Sequence, residues 1–139
     1  MTYESWAAAI PFDLPEEAAV NANPDNDLFL NLMEYALGLD PLVSDSDRGP
    51  TGGLLEVGGQ SYQSFTYRRP AGDQERSDLT YKGERSIDLV NWSDTGVIEE
   101  SVSAPDPVSG LVTVVLRSAT SVTDPALVRE FLRLVVIKQ

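Results

Sequence analysis

The sequence predicts a mostly β protein, an antiparallel β-sandwich of about six or seven strands behind a short helical, loop-bearing N-terminal segment. Three observations predict it. Downstream of Gly53, apolar and polar residues alternate with period two between turns rich in Pro, Gly, Asp and Ser. Upstream of Arg48, helix start and stop signals replace that alternation. The charge changes at the same place: Glu4, Asp13, Glu16, Glu17, Asp25, Asp27, Glu34, Asp40, Asp45 and Asp47 face no Lys or Arg in residues 1–47, so that stretch carries −10 of the chain's net −12. The expected organisation is an acidic helical prefix over 1–47, a Gly/Pro linker over 48–53 and a β-module over 54–139.

The elements follow in order. Ser5 to Ile10 favours a short helix that Pro11 stops. Asp13-Leu14-Pro15-Glu16 reads as an N-cap, a first-turn proline and an N3 glutamate, opening a second helix that runs to about Val20. A third helix covers Leu30 to Leu37, with Gly38 as its C-terminal cap and Pro41 beyond it. Phe65 and Tyr67 alternate with Ser64, Thr66 and Arg68 in a half-buried strand. Leu79 to Ser86 forms another, in which Gly83 marks a bulge or a close approach. Ser93 to Val102 holds a third, and Val112 to Arg117 alternates in a fourth. Phe131 to Ile137 is nearly all apolar and β-branched, as expected of a central strand buried on both faces.

At 139 residues the chain can bury a core without staples. It has no Cys and no His, which excludes disulfides, thiolate chemistry, Ser–His and Cys–His catalysis and imidazole metal sites. Its charge argues against nucleic acid, which calls for clustered Lys and Arg. Membrane insertion is not expected either, because the longest apolar run, Leu134 to Ile137, has only a strand's length. Met1-Thr2-Tyr3-Glu4 shows no basic region leading into an apolar one. The start therefore reads as cytoplasmic, or as a piece of a larger exported precursor.

The acidic prefix also holds Trp6, Phe12, Leu32, Met33, Tyr35 and Leu37, too much apolar surface for a disordered tail. A folded block of one sign of charge calls for a cation. Asn23-Pro24-Asp25-Asn26-Asp27-Leu28-Phe29-Leu30-Asn31-Leu32-Met33-Glu34 supplies a place for one. With Asn23 as the first position, side-chain oxygens fall at the first, third, fifth, ninth and twelfth, from Asn23, Asp25, Asp27, Asn31 and Glu34. Phe29 occupies the seventh, where only a carbonyl is needed. This is the spacing of an EF-hand-type calcium loop, whose hard oxygens converge from alternate residues before a helix-borne Glu closes the shell. The sixth position ordinarily needs Gly at positive φ. Leu28 there is expected to cost about 1–2 kcal/mol. With Asn23 also removing a charge, Ca²⁺ affinity is expected near 10⁻⁴–10⁻³ M, the range of extracellular modules. The competing reading is that Asp25 and Asp27 only form Asx turns and cap the following helix. Asp40, Asp45 and Asp47 lack a closing Glu and read as linker, although Asp45 or Asp47 could complete the first loop in space.

Asn23-Pro24-Asp25-Asn26-Asp27, followed by Asn31-Leu32-Met33-Glu34-Tyr35-Ala36-Leu37-Gly38-Leu39-Asp40-Pro41, resembles the single thrombospondin-type-3/dockerin-like calcium motif near the C-termini of large secreted bacterial proteins. That motif reads approximately D-P-D-G-D-G-L-x-N-L-x-E-Y-A-L-G-x-D-P. Phe65 to Arg69, Leu79 to Tyr81, Ser86 to Trp92 and Phe131 to Leu134 are similar to recurring phrases of the β-module that follows it. The resemblance implies an exported, non-catalytic C-terminal module that is secreted or held at the cell surface, with Asp25, Asp27, Asn31 and Glu34 as ligands and Asn23 in place of the usual Asp. A dockerin carries two such loops, and this chain has one.

An accessory or interaction module is therefore expected, partnered by protein or polysaccharide. The alternative is a glycan-binding sandwich presenting Trp92, Tyr62, Tyr67 and Tyr81, though Trp92 follows an apolar pair and is expected in the core with its N–H on a carbonyl. Arg133 is expected either to meet a buried carboxylate or to sit at a rim. Glu99 and Glu100, as strand neighbours, point to opposite faces and cannot form a glycosidase pair.

Overall fold

The computed structural model describes residues 1–139 and bears out the mostly β architecture: two antiparallel sheets of six strands with few helices. Strands β1 (Thr51–Val57), β2 (Gln60–Pro70), β4 (Val97–Val102) and β5 (Leu111–Ser121) form one sheet in the order β1-β2-β5-β4. Strands β3 (Leu79–Ser86) and β6 (Phe131–Lys138) form the other. Two α-helices, α1 (Tyr3–Ala7) and α2 (Asn31–Leu37), lie in the prefix, with a 3₁₀ turn over Pro15–Ala18 between them.

The helix signals act where expected, with small shifts. Thr2 caps α1, its hydroxyl accepting from the Ser5 N–H. The 3₁₀ turn is capped one residue later than predicted: Leu14 is the N-cap, and Glu17, not Glu16, reaches back to accept from the Asp13 and Leu14 N–H groups at 3.0 and 3.1 Å. The turn spans only four residues, too few for an α-helix to propagate. Helix α2 ends at Gly38, whose φ of 72° is the left-handed conformation a terminating glycine adopts readily. A side chain there would also strike Leu111, 2.8 Å from an added Cβ.

The inner faces of the two sheets meet over one core. Phe65 and Tyr67 of β2 and Val112, Val114 and Leu116 of β5 pack with Leu37 and Leu39 from the prefix, and Tyr81, Leu132 and Leu134 cover them from the second sheet. A second cluster locks the prefix in place. Tyr3, Trp6 and Tyr35 form a triangle with every ring pair 5.3 Å apart, resting on Leu79. Beneath it, the Tyr35 hydroxyl lies 2.6 Å from Asp78 Oδ1, and Asp78 Oδ2 accepts the Tyr3 N–H at 2.8 Å. Arg76 donates from Nε to the Tyr35 carbonyl at 2.8 Å and lies 4.4 Å over its ring.

Three expectations change. The linker is shorter than predicted, because β1 begins at Thr51 and takes in Gly52 and Gly53, paired with Phe65 and Ser64. Strand β6 is not central: it pairs with β3 alone and none of its residues is fully buried. Its apolar character serves one buried face (Leu132, Leu134) and the prefix, which Val136 meets beside α2. Trp92 is half-buried rather than in the core. Its N–H does reach a carbonyl, that of Leu89 at 3.3 Å, but Arg133 stacks on the ring at 4.1 Å while also bonding Glu84 at 2.8 Å. Arg133 thus takes both expected roles, exposed itself and paired with a mostly buried carboxylate.

Gly83 is a close approach and not a bulge, since the β3–β6 register runs unbroken through it. An added Cβ would lie 2.8 Å from Leu116 and 2.9 Å from Val97. Gly83→Ala should therefore destabilise the protein by about 1–3 kcal/mol through overpacking. Gly53→Ala, whose Cβ would meet only ordinary contact at 3.9 Å, should be neutral or stabilising by up to about 1 kcal/mol. Urea unfolding of the two variants checks the opposite signs.

Candidate metal centre

The loop between the 3₁₀ turn and α2 bends because Pro24 fixes its own φ and Asn26 adopts a φ of 59°. Asparagine is among the few residues that enter the left-handed region readily. The reversal thus falls at the fourth loop position, and Leu28 at the sixth is not among the residues with positive φ. The strain expected at Leu28 does not arise, and with it goes that argument for weak affinity.

The aspartates form Asx turns but do not cap α2, whose N-cap is Leu30 without a side-chain bond. Asp25 Oδ1 accepts the Asp27 N–H at 3.2 Å, and Asp27 Oδ1 accepts the Phe29 N–H at 2.6 Å, the two Asx turns that shape the loop. The carboxylates also converge: ligand oxygens of Asp25, Asp27 and Glu34 all lie within 4.8 Å of one another. Glu34 reaches them from the first turn of α2 and is fully buried, with neither Oε1 nor Oε2 meeting a donor. Asp25 Oδ2 and Asn23 Oδ1 are likewise buried and unpartnered. Asn23 is oriented by its own amide, which donates to the Asp27 carbonyl at 2.8 Å. Asn31 is fully buried and donates to the carbonyls of Glu17 and Ala19 at 2.6 and 3.0 Å, which leaves its Oδ1 without a partner. Phe29 enters the loop through its N–H, and its ring packs against the core.

Asp45, read as linker from sequence spacing except as a completion in space, lies against the cluster through its backbone, outside the three converging carboxylates. Its N–H donates to Asp27 Oδ2 at 3.1 Å, its Oδ1 is buried without a partner, and the residue is nearly inaccessible. Ser46 fastens the same crossing by accepting the Leu28 N–H at 2.9 Å. Asp40 and Asp47 stay exposed and do not join. The signal for Asp45 lay in composition, one of ten carboxylates in a stretch without bases, and not in spacing, because it arrives from a separate turn 18 residues beyond Asp27.

The electrostatics follow from burial among like charges. Burial first, then Asp25, Asp27, Asp45 and Asp40, pushes the Glu34 carboxyl from its ordinary 4.5 up to about 8. Burial also raises Asp45, with Asp27 and Asp25 adding to it and the Asp40 backbone and Arg48 opposing. None of the protein's cations bonds Asp25, Asp27, Glu34 or Asp45. Oxygen donors alone, several of them anionic and held at loop and helix positions, are the chemistry that could hold a hard divalent ion.

The other candidates are engaged elsewhere. Tyr67 is buried, and Tyr62, Tyr81 and Trp92 are half-buried, with Arg117, Arg69 and Arg133 respectively over their rings, so these four give no bare coplanar pair. Glu100 is tied to Arg117 at 2.7 Å. The chain matches no protein-family model, no curated protein and no solved structure.

The raised Glu34 fixes the sign of a pH effect in calcium-free protein. Between 4.5 and about 8 the folded state binds a proton that the unfolded state has released, so stability falls as pH rises. The contribution is fully present below 4.5 and lost as pH passes about 8. Melting in chelator should show Tm declining across this window, and Glu34→Gln should flatten the profile.

Proposed function

We propose that this protein is a non-enzymatic accessory or interaction module of a secreted or cell-surface protein, organised around one structural Ca²⁺ ion. Asp25, Asp27, Glu34 and Asp45 supply its charge, with Asn23 and Asn31 as neutral donors and the Phe29 carbonyl as the backbone ligand that the loop spacing calls for. The observation that carries the reading is Glu34, a wholly buried carboxylate with two unpartnered oxygens beside two aspartates. Left ionised and uncompensated, such a group costs several kcal/mol. A divalent cation removes that penalty for all four carboxylates at once.

The number of oxygens favours calcium over magnesium. Six buried side-chain oxygens from Asn23, Asp25, Asn31, Glu34 and Asp45 lack protein partners. Calcium takes about six to eight oxygens in flexible geometry, whereas magnesium keeps several waters. A structural role is supported by the burial of Glu34 and Asp45. An exported module accords with the motif resemblance and with millimolar extracellular calcium.

Calorimetric titration of Ca²⁺ into chelator-treated protein tests the reading. One site should fill, and stability should rise by about 2.7 kcal/mol at a hundredfold excess over Kd. Glu34→Gln should abolish the calcium response while making the calcium-free protein more stable than the parent above about pH 8, where Glu34 would otherwise be a buried charge. No heat, and an unchanged Tm at several millimolar Ca²⁺, would refute the proposal.

A further inference from the structure

The ion loop carries on its outer side a surface that no element of the fold covers. Leu28, Phe29, Leu30, Leu32 and Met33, with Val136 of β6, line a cavity of about 410 Å³ whose lining residues are all apolar. Its size lies within the range of about 300–1,000 Å³ typical of ligand-binding clefts. Leu28 is 82% exposed and Leu30 47%. Single exposed leucines are ordinary; here two lie side by side at the mouth of one apolar hollow.

Charge says what such a hollow accepts. Five of its six lining residues belong to the stretch 1–47, in which every ionisable side chain except the tyrosines is acidic. Of the nearest cations in sequence, Lys138 is bonded to Glu4 at 2.8 Å, and Arg48 is close enough to Asp45 to act on its charge. An apolar cleft in an acidic field selects an apolar segment flanked by Lys or Arg and repels anionic membranes and acidic peptides.

We propose that this cleft is the docking site for a basic, amphipathic segment of a partner protein, and that the ion holds it in its binding shape. The second half rests on the calcium reading above. Leu28, Phe29 and Leu30 lie between the ligands Asp27 and Asn31, and their backbone is held by Asp27 and Ser46. Without a cation Asp25, Asp27 and Asp45 crowd one another around Glu34, and the leucines lose their fixed placement. Ion and partner are then linked, each tightening the other.

The sign of this linkage sets the proposal apart from simple charge attraction. Calcium lowers the negative charge, so electrostatics alone predicts weaker binding of a basic peptide when the ion is present. Fixed docking predicts tighter binding. The probes are a fluorescent amphipathic Leu/Lys peptide and a Leu/Glu peptide of the same pattern, each titrated with the full chain in millimolar Ca²⁺ and in chelator. The Leu/Lys peptide should bind at least about tenfold more tightly with calcium than without, and at least about tenfold more tightly than the Leu/Glu peptide. A Leu28→Ser/Leu30→Ser variant changes exposed side chains only and should keep its calcium titration while losing at least about tenfold in peptide affinity. Equal or weaker binding with calcium, no effect of the double substitution, or preference for zwitterionic lipid vesicles over the peptide would overturn the proposal. Because calcium binding is read on the same samples, normal ion uptake with no peptide effect sinks the docking site alone, and absent ion uptake sinks the calcium reading itself.

Discussion

One buried carboxylate sets the terms for the rest of the molecule. Glu34 occupies a helix position from which it cannot reach solvent, facing aspartates brought from the loop before it and from the turn after it. Removing a charge from water is unfavourable unless an opposite charge or proton comes with it. Five ion pairs exist in the protein, and only Lys138–Glu4 touches the prefix, far from this cluster in charge terms because it is already satisfied. The remaining routes to neutrality are a proton, which the raised Glu34 accepts, or a metal ion.

Helix α2 transmits that constraint. At seven residues it is too short to persist on its own, and each of its sides answers to a different neighbour. Asn31 and Glu34 turn to the loop, Leu37 to the sheet core, and Tyr35 to Asp78 and Arg76, while the Ala36 carbonyl accepts the Tyr81 hydroxyl at 2.7 Å. Any displacement that relieves the carboxylates therefore disturbs both hydrophobic clusters. Local electrostatics and global packing are coupled through two turns of helix.

Much of this was legible in the residues. Period-two alternation identified β2, β3 and β5, and the Gly38–Pro41 pair placed the end of α2 to the residue. The loop spacing found Asp25, Asp27 and Glu34, which the fold brings together. What escaped depended on the third dimension. The kink moved to Asn26 because the loop has another residue able to adopt positive φ, so Leu28 in place of Gly carried less meaning than its position in the loop assigned it. Strand β6 looked central because its second source of burial is the prefix, which leaves a strand with one neighbour as apolar as a strand with two. Asp45 was only half legible, since its place is set by a turn crossing back over the loop.

The contacts between Tyr35, Arg76 and Asp78 carry a consequence for biosynthesis. The residues that seat α2 lie 41 and 43 positions further along the chain than Tyr35 itself. A nascent polypeptide emerging or being translocated N-terminus first presents its ten carboxylates well before these anchors exist. During that interval the acidic stretch is a polyanion without its partners, and α2 is seated only after the strand beyond Asp78 has arrived.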